Sequence, residues 1–167
     1  MNIKIAVLFS FVTSSIPGFG AYDPANRVNL LFQQSEAMIA QGKHSLARSM
    51  LDAVVTSPYL SARQRARAFY ARGYSFQSEA FYTSAALDYS RALEFDSNNS
   101  SSLTALAGMY ANCLGVICDP IKAYRYALMA ARGGNKQGKL LVGTALLYGK
   151  GTPKNLSKAQ YWLKEAA

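Results

Sequence analysis

A segment of the chain occurs twice, with a spacing of 36 residues and no gap between the copies. Gly115 recurs as Gly151, and Asp119 is matched by Asn155. A fixed period of this length is typical of solenoids, in which each repeat buries its apolar face only against its neighbours. Such arrays usually act through an extended surface rather than through a few reactive side chains. The other identical positions are Lys122, Ala123, Ala130 and Ala131, which recur as Lys158, Ala159, Ala166 and Ala167.

The rest of the chain after residue 24 reads as helices joined by short turns. Apolar residues at helical spacing predict a first helix that ends near Gln41-Gly42, and a second that ends near Ser57-Pro58, where proline cannot continue a helix. Ser61 is a suitable N-cap for a third helix that runs to about Ser78. We therefore expect an all-α solenoid of about four antiparallel helix pairs, with the later helices at about 83–95, 102–112, 119–132, 136–148 and 156–167.

Two parts of the chain resemble known repeat families. Gly73, Tyr82, Ala85, Tyr89 and Ala92 have the spacing of a tetratricopeptide repeat. The doubled region is similar to the Sel-like repeats, a subfamily of the same class, through Gly149-x-Gly151, Lys158-Ala159, Trp162 and Ala166-Ala167. The earlier copy departs from that pattern at Cys113, which stands where the first loop glycine is usual. The resemblance implies one continuous right-handed superhelix that binds proteins or peptides, with tetratricopeptide-like pairs over 22–99 and two Sel-like repeats over 100–167.

The resemblance also implies which residues face a partner. In the family's geometry the first helix of each pair lines a concave groove, and Tyr and Arg contribute most binding energy when they are desolvated. The family's carboxylate clamp needs Lys and Asn at the positions of Phe32 and Glu36, which argues against binding of chaperone tails. The groove positions carried onto this chain are Asn29, Phe32, Glu36, Arg67, Tyr70, Tyr74, Gln77, Thr104, Asn112, Thr144 and Tyr148.

Residues 1–21 read as a cleaved secretory signal. Lys4 precedes a short apolar run over 5–12, Pro17 follows, and small residues surround the expected cleavage point. The apolar run is too short to span a bilayer. A first core helix and an uncleaved anchor are the alternatives. We expect the mature chain to begin near Ala21 or Tyr22, in the periplasm or outside the cell, without an integral membrane segment.

Cys113 and Cys118 are the only two cysteines of the chain. Two thiols are too few for a structural zinc site without histidine partners, and the single histidine, His44, is distant in sequence. In an oxidising compartment we expect a disulfide across this small loop. It should stabilise the fold by about 2 kcal/mol or less, because the entropic gain grows with loop length. We expect neither a metal nor another cofactor.

The charge of the chain is strongly positive. It has 18 Lys and Arg residues and 9 Asp and Glu residues. From residue 118 onward there are nine basic residues, and the only acidic ones are Asp119 and Glu165. Long-range attraction then favours anionic partners, and for a secreted protein acidic proteins and envelope polyanions are better candidates than nucleic acid. A solvated basic face without a partner is the alternative. The same two interpretations, contact with an anionic partner or plain solvation, apply to the arginine series Arg63, Arg65, Arg67 and Arg72.

No catalytic residues can be assigned from the sequence. The carboxylates are few and scattered, and Gly149-x-Gly151 lacks the third glycine of a dinucleotide-binding loop. We expect a non-enzymatic scaffold that binds a protein or peptide of acidic character. The alternatives are a toxin-neutralising or host-interacting secreted protein and, less favoured, an enzyme that binds or hydrolyses β-lactams. Self-association at the C-terminal edge is a further expectation, because nothing in the sequence after Leu163 and Trp162 would cover their apolar surface.

Overall fold

A computed structural model describes residues 23–167 of the chain. The predicted signal segment and cleavage point lie outside these residues. The predicted helix boundaries agree with the structure to within about two residues. The described part forms eight α-helices: α1 (Pro24–Ala40), α2 (His44–Thr56), α3 (Ala62–Ser78), α4 (Tyr82–Phe95), α5 (Ser100–Asn112), α6 (Pro120–Arg132), α7 (Lys136–Tyr148) and α8 (Leu156–Ala166).

The helices pack in consecutive antiparallel pairs. The pairs are α1 with α2, α3 with α4, α5 with α6 and α7 with α8, and the second helix of each pair packs on the first helix of the next. First helices of neighbouring pairs also meet, α1 with α3 and α5 with α7. The predicted all-α solenoid of four pairs is thereby confirmed. Between residues 23 and 167, no helix has the length and apolar character that crossing a membrane requires.

Side chains with a polar oxygen start most of these helices. At α3, the Ser61 hydroxyl accepts a hydrogen bond from the Gln64 N–H, and the Gln64 side chain accepts one from the Ser61 N–H. In the doubled region the caps recur with the repeat, since Asp119 and Asn155 each accept from the N–H three residues later. These bonds satisfy N–H groups that the first turn of a helix leaves free. The cap is therefore part of what the sequence repeats.

In the second and fourth pairs, the two helices approach each other closely at a glycine of the first helix. A Cβ atom on Gly73 of α3 would lie 2.9 Å from the ring of Tyr89 on α4, and one on Gly143 of α7 would lie 2.7 Å from Cγ of Leu163 on α8. The contact of Leu163 corrects the expectation that this side chain is uncovered. Leu163 is half-buried against its own pair, which removes one of the two side chains, Leu163 and Trp162, on which the predicted self-association rests.

Two glycine-containing loops, one between α5 and α6 and one between α7 and α8, contact the backbone of the preceding helix pair. Gly115 and Gly151 have positive φ angles of 67° and 72°. A Cβ on Gly115 would lie 2.3 Å from the carbonyl carbon of Tyr82, and one on Gly151 would lie 1.9 Å from the carbonyl oxygen of Pro120. Each loop therefore rests on the first turn of the second helix in the preceding pair. Only glycine meets both the conformation and the close approach.

The substitution of cysteine for the first loop glycine does not change the turn. Cys113 ends α5 in the left-handed conformation with φ 59°, and Gly149 ends α7 with φ 71°. The predicted disulfide is confirmed: Cys113 is bonded to Cys118, and their Cα atoms are 4.6 Å apart. The bond links the end of α5 to the loop that leads into α6.

Replacing Gly151 by alanine should destabilise the protein far more than replacing Gly134, which has a positive φ of 84° but no atom within 4 Å of the place that a Cβ would take. Gly134→Ala should cost about 1–2 kcal/mol for the left-handed conformation alone. Gly151→Ala should cost at least about 2 kcal/mol more, because backbone must move. Urea unfolding of the two variants measures the difference. Equal losses would contradict the loop contact.

Glycine should replace Cys113 better than alanine does. In a Cys118→Ser background, which removes the disulfide from both proteins, Cys113→Gly should be more stable than Cys113→Ala by about 1 kcal/mol, since alanine bears the cost of the left-handed conformation. Thermal unfolding of the two double variants tests this. A more stable alanine variant would show that the turn relaxes once the disulfide is absent.

Candidate functional site

An open cleft of about 470 Å³ lies between α1, α3 and the start of α5. We call it the N-terminal cleft. It gathers four of the eleven predicted groove residues, and these come from the first helices of two successive pairs. Its lining consists of Glu36, Ile39, Arg67, Tyr70, Ala71, Tyr74, Asn99 and Ser101.

Arg67 is the cation of the N-terminal cleft. Its Nη2 donates a hydrogen bond of 3.2 Å to Oε1 of Glu36, and its guanidinium lies 5.3 Å from the centre of the Phe32 ring. Both charged side chains are about half exposed. Exposed ion pairs contribute little stability, on the order of 0–1 kcal/mol. Arg67 can therefore exchange Glu36 for a carboxylate of a partner at small cost.

Two tyrosines form the aromatic wall of the N-terminal cleft. Tyr70 is half-buried, with its ring centre 5.6 Å from that of Tyr89. Burial chiefly raises the pKa of Tyr70, and the neighbouring Tyr74 adds to the rise, while a hydrogen bond with Ser101 opposes it. Tyr70 thus keeps its hydroxyl proton at neutral pH. Tyr74 is 44% exposed and offers the larger accessible aromatic surface.

Three further predicted groove residues serve mainly to hold helices together. Phe32 is 8% exposed and belongs to the core, so it meets the cleft only beneath Arg67. The side chain of Asn29 accepts a hydrogen bond from Gln64, and that of Gln77 accepts one from the Tyr89 hydroxyl. These contacts link α1 to α3 and α3 to α4, and thereby position the wall of the N-terminal cleft.

The other four predicted groove residues lie on α5 and α7. Asn112 and Thr144 line a second cavity, whereas Thr104 and Tyr148 do not. The hydroxyl of Thr104 donates to the carbonyl of Ser100 one turn earlier in its own helix. Tyr148, at the end of α7, is 67% exposed. The structure therefore divides the predicted groove into two separate clefts.

The second cavity has a volume of about 400 Å³ and lies between α5, α6 and α7. We call it the alanine cavity, after the small residues that form its walls. Asn112 and Thr144 were predicted from the sequence, but none of these small residues was. The apolar walls are Ala107, Ala111, Ala123, Ala127, Leu141 and Ala145, and the remaining lining is Asn112, Pro120, Tyr124, Thr144 and Lys150.

The arginine series of α3 is divided among different roles. Arg65 donates to the backbone carbonyls of Val55 and Ser57, at the end of α2. Arg67 faces Glu36. Arg63 is exposed, beside a shallow depression at the end of α4. The series therefore does not converge on one anion site, and Arg67 alone lines the N-terminal cleft.

Arg72 forms the one extensively buried ion pair among residues 23–167. Its Nε and Nη2 donate to the two carboxylate oxygens of Asp88, at 2.7 and 2.8 Å, and Asp88 is 2% exposed. Nη1 donates to Asp52 at 2.8 Å. The hydrogen bond to Asp88 raises the pKa of Arg72, so the guanidinium stays charged. This group fastens α3, which carries the cleft residues, to α2 and α4.

Breaking this ion pair should destabilise the fold. Asp88→Asn should cost about 3 kcal/mol or more, because it leaves a buried guanidinium without its main counter-charge. Asp52→Asn is the matched control and should cost less than about 1 kcal/mol, since Asp52 is 65% exposed. Chemical denaturation of both variants gives the comparison. A loss at Asp88 no larger than that at Asp52 would contradict the structural role.

Comparison with known proteins gives likenesses to solved structures alone. No protein-family model matches the chain, and no curated protein matches it. A solved structure described as a Sel1 repeat protein from Oxalobacter formigenes is similar, at 18% identity and a TM-score of 0.49. The match covers 81% of this chain and 60% of the other, so this chain spans less than two thirds of that protein's length. The likeness to the Sel1 repeat protein is one of fold.

Across residues 23–167, no cluster of His, Cys, Asp and Glu side chains could hold a metal ion.

Proposed function

We propose that the protein is a non-enzymatic scaffold that binds an extended peptide or protein segment in the N-terminal cleft. The observation that carries the proposal is the placement of Arg67, Tyr70 and Tyr74 in one open cleft of about 470 Å³. This volume is in the range of about 300–1,000 Å³ that is usual for ligand sites. The open shape suits a chain segment better than an enclosed small molecule.

The chemistry of the N-terminal cleft favours an acidic partner with apolar or aromatic side chains. Tyr74 offers an exposed ring, the Tyr70 hydroxyl remains protonated, and Arg67 can exchange its intramolecular partner for another carboxylate. Arginine and tyrosine are the residue types that most often dominate binding energy. The excess of basic residues over the whole chain adds long-range attraction for acidic partners.

The proposed location is the periplasm or the outside of the cell. The Cys113–Cys118 disulfide supports it, because disulfides persist in oxidising compartments. The signal-like pattern of residues 1–21 supports it independently. The proposed arrangement is one continuous domain after signal cleavage, with the helix pairs over 22–99 extended by the two repeats over 100–167. A toxin-neutralising or host-interacting role would use the same cleft, and the identity of the partner distinguishes these roles.

The test is capture of partners from an envelope fraction by the mature protein, followed by quantitative mass spectrometry. Tyr74→Ala and Arg67→Glu should each reduce the captured partner about tenfold, which corresponds to about 1.4 kcal/mol. Tyr59→Ala removes a tyrosine outside the cleft that is more exposed than Tyr74, at 54% against 44%, and should change nothing. Tyr70→Ala should also weaken capture, but its melting temperature must be measured beside it, because Tyr70 packs on Tyr89.

Unchanged capture by both Tyr74→Ala and Arg67→Glu would contradict the proposal. The same holds for a loss that Tyr59→Ala shares, because a surface effect would then explain it. The basic residues between Lys122 and Lys164 would become the better candidate surface.

A further inference from the structure

We infer that the alanine cavity is a second peptide-binding site, which takes an apolar side chain flanked by carboxylates. The inference rests on the proposed peptide-binding function and adds to it a site of different chemistry in the doubled region. The alanine cavity lies between α5, α6 and α7, whereas the N-terminal cleft lies between α1, α3 and the start of α5.

The alanine cavity exists because one large side chain is missing from a repeated contact. In the α3–α4 and α7–α8 pairs, a glycine of the first helix contacts a large side chain of the second: Gly73 contacts Tyr89, and Gly143 contacts Leu163. Each glycine lies six residues before the C-cap of its helix, and each large residue lies eight residues after the N-cap of its helix. In the α5–α6 pair these positions hold Ala107 and Ala127. Both line the cavity, and alanine stands at position 127 where the neighbouring pairs have tyrosine or leucine.

The walls suit an apolar side chain. Six of the eleven lining residues are Ala or Leu, and Ala107 and Ala127 are almost completely buried. A dry apolar cavity of roughly 150 Å³ is large enough to bind benzene, so about 400 Å³ holds a leucine or phenylalanine side chain. Burial of such a side chain removes apolar surface from water, which is the main favourable term in association.

The rim supplies donors for a carboxylate. Asn112 and Thr144 already donate to backbone carbonyls of their own helices. Lys150 is exposed and forms no ion pair with any residue of 23–167, and the Tyr124 hydroxyl has no hydrogen-bond partner there either. An ammonium and a hydroxyl at the edge of an apolar cavity match a peptide in which a carboxylate neighbours an apolar side chain.

The surrounding charge selects an acidic peptide over a neutral or basic one. Asp119 and Glu165 pair with Lys122 and Lys139. No other Asp or Glu lies between residues 118 and 167, and a like-signed surface of this kind attracts anionic segments from a distance. The basic residues of 118–167 that lack an Asp or Glu partner within the described chain are Arg125, Arg132, Lys136, Lys150, Lys154, Lys158 and Lys164.

The test is an NMR titration of the protein with three synthetic nine-residue peptides. The first alternates serine and glutamate around a central leucine, the second has alanine at the centre, and the third has lysine in place of glutamate. The leucine peptide should shift the amide resonances of Ala111, Thr144 and Ala145 and bind about tenfold more tightly than the alanine peptide. The lysine peptide should leave these resonances unchanged.

One double variant and one matched pair of single variants locate the binding energy. Ala107→Gly combined with Ala127→Leu installs the arrangement of the α7–α8 pair, fills the alanine cavity and should retain the wild-type melting temperature while binding falls at least tenfold. Lys150→Glu should weaken binding at least fivefold. Lys154→Glu changes the net charge equally, but Lys154 does not line the cavity, so its effect should be less than twofold.

Four results would overturn the inference. The leucine and alanine peptides could bind equally; the shifts could be confined to Glu36, Tyr70 and Tyr74; the filled variant could bind as the wild type does; or the Ala111 resonance could shift with protein concentration alone, which would identify a second copy as the occupant. None of these results affects capture through Tyr74. Conversely, normal capture by Tyr74→Ala beside intact shifts at Ala111 would contradict only the proposed use of the N-terminal cleft.

Discussion

Each of the last three helix pairs depends on how closely its two helices approach at one position of the first helix. Where that position is glycine, a large side chain of the second helix packs directly on the backbone, as Tyr89 does on Gly73 and Leu163 does on Gly143. Where alanine occupies both sides, as at Ala107 and Ala127, the same geometry leaves a cavity. Close packing makes voids of this size uncommon in small domains. The residue types at this repeated contact therefore determine both the close packing of the second and fourth pairs and the cavity at the third pair.

The groove helices are held by different interactions in the two halves. In the doubled region, Gly115 and Gly151 bring each loop onto the backbone of the preceding pair. In the first half, α3 is fastened by the bidentate contact between Arg72 and Asp88, which is almost fully buried. A buried charge pair resists separation because either partner alone would be left unpaired in the interior. Arg67, Tyr70 and Tyr74, which line the N-terminal cleft, therefore stand on a fixed helix.

The sequence was sufficient for the helices and the repeat, but not for the contacts between distant helices. Caps such as Ser61 and Asp119 act within one turn, so their signal is local. The partner of Arg72 lies on α4 and the cover of Leu163 lies on α7, and helical spacing carries no information about either. The four cleft residues Glu36, Arg67, Tyr70 and Tyr74 were found through family resemblance. The alanine cavity was missed because a missing side chain becomes visible only when equivalent positions of successive pairs are compared.

Site-specific photo-crosslinking in living cells can show whether a partner binds in the N-terminal cleft. The photoreactive residue benzoylphenylalanine would replace Tyr74 in the N-terminal cleft or Ser90, which is exposed on α4 and lines neither cleft. We expect the probe at position 74 to crosslink to one discrete acidic partner, Arg67→Glu to abolish this product, and the probe at position 90 to give none. Equal crosslinking at both positions, or a product at position 90 alone, would contradict recognition through the N-terminal cleft.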